Sequence, residues 1–118
     1  MKNCVFCDMV ENIQSISERI IFSDDQYIGI RVMHPESDGH FILFPKLHYS
    51  QMSEMNEKGQ FFESVVKLAE SQMEKLHADA YVLKLNNMVY LLENDPMHVG
   101  HIHMHVIPRY KVEEGVIE

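Results

Sequence analysis

The sequence predicts an α+β protein with a small antiparallel five-stranded sheet and one long helix. From about residue 56 to 77, apolar residues recur at three- and four-residue spacing, which is the period of one helix face. The other apolar segments are short, of strand length, and separated by turn-forming residues. At 118 residues, the chain is expected to form a single domain over residues 1–118.

Charge and hydropathy exclude several classes of protein. The formal net charge is −8 with histidine neutral, which argues against broad nucleic-acid binding because lysine and arginine are what hold phosphate backbones. No apolar run approaches the roughly 20 residues that a membrane span needs. The start of the chain, MKNCVFCDMV, lacks a secretory pattern, so we expect a soluble, cytoplasmic protein. Its two cysteines then favour free thiols or metal ligands over a disulfide.

The first half of the chain predicts a short helix over residues 8–16, then a hairpin and a strand. Two β-rich runs flank the turn-forming Ser23-Asp24-Asp25 and predict the hairpin. Residues 34–39 are expected to form a loop, because Pro35 restricts its predecessor to extended conformations and Gly39 tolerates positive φ. Residues 40–45, HFILFP, predict the next strand.

The second half begins with the long helix, whose apolar stripe is expected to face the core. The stripe consists of Phe62, Val65, Val66, Ala69, Met73 and Leu76. Residues 80–85 and 88–92 are apolar runs of strand length, and Asn94-Asp95-Pro96 marks a loop. Residues 101–107, HIHMHVI, alternate strictly, so they predict a strand that ends at Pro108.

This alternation places His101, His103 and His105 on one strand face. The opposite face carries Ile102, Met104 and Val106, which are expected to pack beneath the long helix. Three interpretations of the histidine row are open: ordinary histidines on a half-exposed sheet, a metal triad, or catalysis in which one imidazole attacks an electrophile such as phosphorus. The spacing argues against all three side chains sharing one ion, because a third ligand on the same strand requires strong bending.

HIHMHVI resembles the His-φ-His-φ-His-φ-φ signature of the histidine triad (HIT) family of nucleotide hydrolases and transferases, where φ is apolar. The resemblance runs from Cys4 to Arg109 and includes CVFC, HPESDGHFILFPKLHY, the helix and HVGHIHMHVIPRY. The triad followed by VIPR is highly specific, PKLHY moderately so, and CVFC alone is weak. The resemblance implies a HIT-like fold whose small sheets join across a homodimer.

The resemblance also implies catalytic roles for three histidines. His103 is the expected nucleophile, which attacks the α-phosphorus of a nucleoside phosphoramidate or related nucleotide and gives a nucleotidyl-histidine that water resolves. His105 is expected to hydrogen-bond phosphate oxygens or pass a proton to the leaving group. His40 is expected to fix the tautomers of the triad. Purine nucleoside monophosphate derivatives are the implied substrates.

In zinc-containing members of the family, a Cys-x-x-Cys pair and two histidines form a closed structural site. The corresponding residues here are Cys4, Cys7, His48 and His101. Two thiolates and two imidazoles make a tetrahedral ligand set for zinc. A bare thiol pair is the alternative.

The resemblance implies substrate-binding roles for Asn87, Met97, His98, Val99 and Met33. Backbone amides of residues 97–99 are expected near the α-phosphate. Met97 stands where the family usually has a glutamine, and a thioether cannot replace an amide donor. Val32, next to Met33, stands where nucleoside-binding members carry an acidic residue or asparagine for the ribose. About four extra residues separate Asn87 from the triad.

Three hypotheses about function follow. The first is a zinc-stabilised nucleotidyl hydrolase with His103 as nucleophile. The second is a nucleotide-binding or interaction protein that has lost efficient turnover, which the substitutions at Met97 and Val32 favour. The third is a metal-binding protein that uses the triad as ligands.

Overall fold

The computed structural model describes residues 4–92 and 100–111. In these ranges, β1 (Ile20–Ser23), β2 (Tyr27–Arg31), β3 (Phe41–Pro45), β4 (Ala80–Leu85) and β5 (Met104–Arg109) form one sheet. The strand order is β1-β2-β3-β5-β4 and every pairing is antiparallel. The α-helices are α1 (Val5–Glu11) and α2 (Lys58–Leu76), and 3-10 turns cover Ile13–Arg19, Met52–Glu54 and Val89–Leu92. The predicted α+β class, with its five-stranded sheet and one long helix, is confirmed.

The predicted hairpin forms because Asp24 closes its turn. The Oδ1 atom of Asp24 accepts hydrogen bonds from the backbone N–H groups of Gln26, at 2.8 Å, and Tyr27, at 2.7 Å. An aspartate that bonds backbone groups two and three residues ahead stabilises a turn locally. β2 then pairs along its whole length with β3, from Tyr27 opposite Pro45 to Arg31 opposite Phe41.

α2 covers one face of the sheet, with a stripe that differs from the predicted one. The buried residues of the helix are Phe61, Val65, Leu68, Ala69 and Met73. They pack against Met104 and Val106, as expected for the apolar side of the alternating segment. The prediction for Phe62 is wrong, because Phe61 occupies the core and Phe62 is 51% exposed. Two adjacent phenylalanines lie about 100° apart on a helix, so only one of them can face the sheet.

The N-terminal segment covers the opposite face. Its apolar side chains, Phe6, Met9, Val10, Ile13 and Ile16, pack against Ile28, Ile30, Ile42 and Phe44 of the sheet. His105 lies directly across from Ile42 in the register of β3 and β5, so it shares this face. The histidines of the alternating segment therefore lie on the side of α1, away from α2.

Two predicted elements near the ends of the chain have different bounds. The helix expected over residues 8–16 is α1 followed by a 3-10 turn, and it starts earlier because the Cys4 side chain caps it by accepting from the N–H of Cys7. The strand expected over 101–107 begins only at Met104. The backbone N–H of Ile102 donates instead to the carbonyl oxygen of Tyr49, at 2.7 Å, outside the sheet.

The strand-length run at 88–92 is a 3-10 turn and not a strand. Met88 adopts the left-handed conformation, with φ of 65°, and the N–H of Leu91 donates to its carbonyl oxygen at 3.1 Å. A left-handed residue reverses the chain and cannot continue a strand. In the parts of the chain that the structure describes, no helix has both the length and the apolarity needed to cross a membrane.

We expect Gly39→Ala and Gly59→Ala to change stability in opposite directions. Gly39 has φ of 86°, and a Cβ atom there would lie 2.4 Å from Cδ1 of Leu76, so alanine should destabilise the protein by at least about 1–2 kcal/mol. Gly59 lies in α2, and a Cβ atom there would have no neighbour within 4 Å, so alanine should stabilise by up to about 0.5–1 kcal/mol. Urea denaturation measures both changes. A Gly39→Ala variant as stable as wild type would contradict this account.

Candidate functional site

Four potential metal ligands from three parts of the chain meet at the N-terminal end of α1. Cys4 caps α1, Cys7 lies in its first turn, His48 follows β3 and His101 precedes β5. Their ligand atoms all lie within 4.8 Å of one another. The fold thus brings together the four residues expected to bind metal.

The spacing within this cluster suits a small tetrahedral ion. The Nδ1 atom of His101 lies 3.3 Å from Sγ of Cys4, 3.7 Å from Sγ of Cys7 and 3.2 Å from Nδ1 of His48. The Sγ of Cys7 lies 3.3 Å from Nδ1 of His48. Tetrahedral coordination with metal–sulfur bonds near 2.3 Å and metal–nitrogen bonds near 2.0 Å separates ligand atoms by about 3.3–3.8 Å. The four separations given above lie close to this range, so the cluster suits such an ion.

Hydrogen bonding and burial prepare His101 as a neutral ligand. Its Nε2 lies 2.8 Å from the carbonyl oxygen of Pro45, which can only accept, so Nε2 carries the proton and Nδ1 presents a lone pair to the thiols. Burial lowers the pKa of His101 to about 4. Burial, followed by the neighbouring Cys4, raises the pKa of Cys7 to about 11. A bound cation reverses that preference, because metal coordination favours the thiolate.

His103 is held by the backbone of His101. Its Nδ1 lies 2.9 Å from the carbonyl oxygen of His101, so Nδ1 is the protonated nitrogen and Nε2 carries the lone pair. The ring of Phe6, between the two cysteines, packs against His103 with centroids 4.7 Å apart and an interplanar angle of 32°. The cluster of potential metal ligands and His103 are therefore linked through both a backbone carbonyl and an aromatic neighbour.

His40 and His105 form a directed hydrogen-bond chain. The backbone N–H of Glu36 donates to Nδ1 of His40 at 3.1 Å, so His40 is protonated on Nε2 when neutral. That Nε2 lies 2.9 Å from Nδ1 of His105, which must accept. Neutral His105 consequently carries its proton on Nε2. Burial, with His103 and His40 adding to it, lowers the pKa of His105 to about 4, and burial also lowers the pKa of His40.

A cavity of about 230 Å³ lies beside His103. Its lining includes the polar residues Ser50 and Asn86, and Tyr90 and Gly100 form another part of the wall. Small concave sites with a few polar groups next to a reactive side chain are typical of substrate sites. The arrangement can present an electrophile to Nε2 of His103.

The HIT domain model matches residues 14–112, which is most of the chain. The chain belongs to the HIT domain family. An uncharacterized HIT-like protein of Methanocaldococcus jannaschii is 29% identical over 117 residues, covering 98% of this chain and 85% of that protein. The adenosine 5'-monophosphoramidase of Saccharomyces cerevisiae is 24% identical over 115 residues, covering 97% of this chain and 67% of that enzyme.

The fold of this HIT protein also matches solved structures. A zinc-bound histidine triad family protein from Mycobacterium smegmatis superposes with a TM-score of 0.72 at 24% identity, over 98% of this chain and 81% of that one. This likeness shows the shared fold. The recognition of the family from the alternating histidines and their flanking motifs is confirmed.

The residues expected to bind substrate, and Val32 beside them, have the following surroundings in this HIT protein. Oδ1 of Asn87 accepts from the backbone N–H of Met52 at 2.8 Å, while Asn86 lines the cavity. Val32 packs against the core on the α1 side, and Met33 is 72% exposed. Neither Val32 nor Met33 lines the cavity beside His103. Met97, His98 and Val99 lie outside the described residues.

Sequence patterns missed several parts of this HIT site. Phe6 lies inside the Cys-x-x-Cys segment, so the motif itself marked the place, but its contact with His103 crosses nearly the whole chain. Ser50 follows PKLHY directly, and Tyr90 lies in a segment that was expected to be a strand. The carbonyl of Pro45 and the amide of Glu36 are backbone groups, which residue types do not reveal.

We expect acid to destabilise this HIT protein between about pH 6.5 and pH 4. Unfolded histidine binds a proton near its ordinary pKa of 6.5, whereas folded His101 and His105 resist protonation until about pH 4. The unfolded state therefore binds more protons in this window, so the free energy of unfolding falls as the pH falls. Urea denaturation above, within and below the window measures the trend. His105→Gln should flatten it, because glutamine accepts from His40 but does not titrate; an unchanged slope would exclude His105 as a source.

Proposed function

We propose that this protein is a nucleotidyl hydrolase that acts on the α-phosphate of nucleoside phosphoramidates or related nucleotides. Nε2 of His103 attacks phosphorus, the phosphorus–nitrogen bond breaks, and the amine leaves with a proton from solvent. Water then attacks the nucleotidyl-histidine, which releases a nucleoside monophosphate and restores the lone pair on Nε2. Purine nucleoside derivatives are the proposed substrates, as the family resemblance implies.

The hydrogen bond from Nδ1 of His103 to the carbonyl oxygen of His101 carries this proposal. It leaves Nε2 unprotonated, which an attacking nitrogen requires. When Nε2 bonds to phosphorus, the ring gains positive charge while Nδ1 keeps its proton. The carbonyl dipole already points at that proton, so the bond strengthens in the transition state without reorganisation.

His105 supports the reaction as a hydrogen-bond donor and not as a source of a proton. Its Nδ1 accepts from His40, so loss of the Nε2 proton would leave an unfavourable imidazolate. Its low pKa, near 4, means that no doubly protonated ring is available at neutral pH. An N–H aimed at a phosphoryl oxygen stabilises developing negative charge. Of the two roles expected for His105, the geometry favours the bond to phosphate oxygens.

The four-residue cluster is proposed to bind one structural zinc ion. Cys4, Cys7, His48 and His101 would supply all four ligands, so a zinc ion there would have no open position for substrate and would hold α1 against the segment that carries the histidines. The zinc-bound relative from M. smegmatis supports this assignment. A metal-binding protein that uses the whole triad as ligands is disfavoured, because only His101 of the three belongs to the cluster.

Relatives support the general class of reaction. The yeast relative is named as an adenosine 5'-monophosphoramidase.

The sheet has an edge where a second copy could pair. β4 lies at that edge, which leaves its outer side for pairing. The homodimer that the family resemblance implies stays a prediction. A cytoplasmic location also stays a prediction.

Replacing His103 should abolish both turnover and the covalent intermediate. We expect His103→Ala to show no detectable hydrolysis of adenosine 5'-phosphoramidate and no acid-labile adduct in samples quenched at alkaline pH and analysed by mass spectrometry. His105→Ala should still form the adduct, with turnover reduced about 10²- to 10³-fold, because it removes one hydrogen-bond donor. His34→Ala, at the exposed loop, is the matched control. An adduct that persists in His103→Ala but disappears in His105→Ala would show that His105 is the nucleophile instead.

Protein purified without added metal should contain about one zinc per chain. Cys4→Ser should lower both the zinc content and the melting temperature, because one thiolate ligand is lost while the serine hydroxyl can still cap α1. Zinc content by atomic emission and thermal unfolding with and without chelator measure these effects. His34→Ala should change neither. Wild-type protein with well under one zinc, together with an unchanged melting temperature in Cys4→Ser, would exclude the structural site.

A further inference from the structure

One wall of the cavity beside His103 depends on the absence of a side chain at position 100. A Cβ atom on Gly100 would lie 2.3 Å from both Cδ1 and Cε1 of Tyr90. Two carbon atoms in contact prefer a separation of about 3.5–4.0 Å. The ring of Tyr90 thus lies directly on the backbone, three residues before His103.

The 3-10 turn Val89–Leu92 presents Tyr90 to this surface. Val89, Leu91 and Leu92 are 42%, 60% and 83% exposed, whereas Tyr90 is half-buried. Just before this turn, Met88 adopts the left-handed conformation. The preceding residue, Asn87, is fixed by a hydrogen bond that its Oδ1 accepts from the N–H of Met52. These two features fix where the turn begins, and the turn places the Tyr90 ring at the cavity.

The volume of the cavity limits what it can hold. At about 230 Å³, it is smaller than the roughly 300–1,000 Å³ of sites that enclose drug-sized ligands. This volume favours the smaller of the two groups on phosphorus, which in a simple phosphoramidate is the amine and not the nucleoside. The cavity therefore suits the leaving-group side of the phosphorus atom.

The polar groups of the cavity favour an amine over an anionic leaving group. The hydroxyl of Ser50 lies 3.1 Å from Oε1 of Glu54, so its hydrogen is donated to that carboxylate. Its lone pairs remain to accept, and Asn86, whose side-chain amide has an oxygen that can accept, also lines the cavity. Such acceptors can bind the N–H groups of an amine, and the negative charge of the Glu54 carboxylate repels an anion.

We propose that Tyr90 is a specificity-determining residue that restricts the leaving group to a small amine. The protein then prefers nucleoside phosphoramidates with an unsubstituted or small amine over those with a bulky aryl amine or a second nucleotide. This inference rests on the proposed function, with Nε2 of His103 forming the bond to phosphorus as the phosphorus–nitrogen bond breaks. It adds to that function the identity of the residue that selects the leaving group.

The test compares adenosine 5'-phosphoramidate with an adenosine phosphoramidate of a bulky aryl amine. Tyr90→Ala should raise the ratio of kcat/KM for the bulky substrate to that for the small one by about tenfold or more, the usual size of discrimination by a hydrophobic wall. Tyr90→Leu should give an intermediate ratio. Leu91→Ala, an exposed residue of the same turn, is the matched control and should leave the ratio at the wild-type value.

Gly100→Ala tests the same contact from the other side. In a protein that still has Tyr90, the added methyl group must displace the Tyr90 ring. The ratio of the two kcat/KM values should therefore change. In Tyr90→Ala there is no ring to displace, so adding Gly100→Ala should leave the ratio at the Tyr90→Ala value. Melting temperatures verify that each variant folds, and Tyr90→Leu supplies the graded result if Gly100→Ala does not fold.

The possible results separate this inference from the function on which it rests. If wild type hydrolyses neither substrate, the proposed function fails and this inference fails with it. If wild type hydrolyses the small substrate but Tyr90→Ala leaves the ratio unchanged, only the role of Tyr90 is overturned. A changed preference among nucleosides with an unchanged preference among amines would place the nucleoside in this cavity and also overturn the proposal.

Discussion

His101 makes three contacts on which the site depends. Its Nε2 donates to the carbonyl of Pro45, its Nδ1 faces the thiols and His48, and its own carbonyl accepts from Nδ1 of His103. The side chain is only 5% exposed, so a charged ring would be costly and the neutral tautomer is enforced. Because His101 joins the cluster of potential metal ligands to the proposed nucleophile, a displacement of His101 would change the ligand geometry. It would also change the orientation of the His103 ring.

The α1 side of the sheet assembles hydrogen-bond donors in an acidic protein. With a net charge of −8, the chain cannot rely on a broad cationic surface to attract phosphate. Neutral imidazoles with fixed tautomers supply N–H groups instead, and Lys84 lies directly across from His105 in the register of β4 and β5. Phe6 covers the faces of His101 and His103 and so limits their access to water. Oriented dipoles in such surroundings stabilise charge more effectively than they do in water.

Local sequence determined the elements and the ligand types. Asp24 closes the hairpin with bonds to its own neighbours, and the three- and four-residue period of α2 identifies the one long helix. The alternation around His103 separated the histidines from the apolar residues that pack under α2. These features depend on contacts within a few residues, so a short window of sequence contains the necessary information. The four expected metal ligands were identifiable because the family pattern had already grouped them.

Tertiary structure alone decided which of several local possibilities was used. Phe61 and Phe62 are equally apolar, and only the position of the sheet selected Phe61 for the core. The apolar run at 88–92 became a turn, which placed Tyr90 against Gly100 rather than in a strand. The tautomer of His101 follows from the carbonyl of Pro45, and that of His105 follows from the side chain of His40, both far away in the chain. The sequence by itself therefore determined what chemistry is present, whereas folding determined which partners His101 and His105 have, because long-range contacts assign partners that no local pattern specifies.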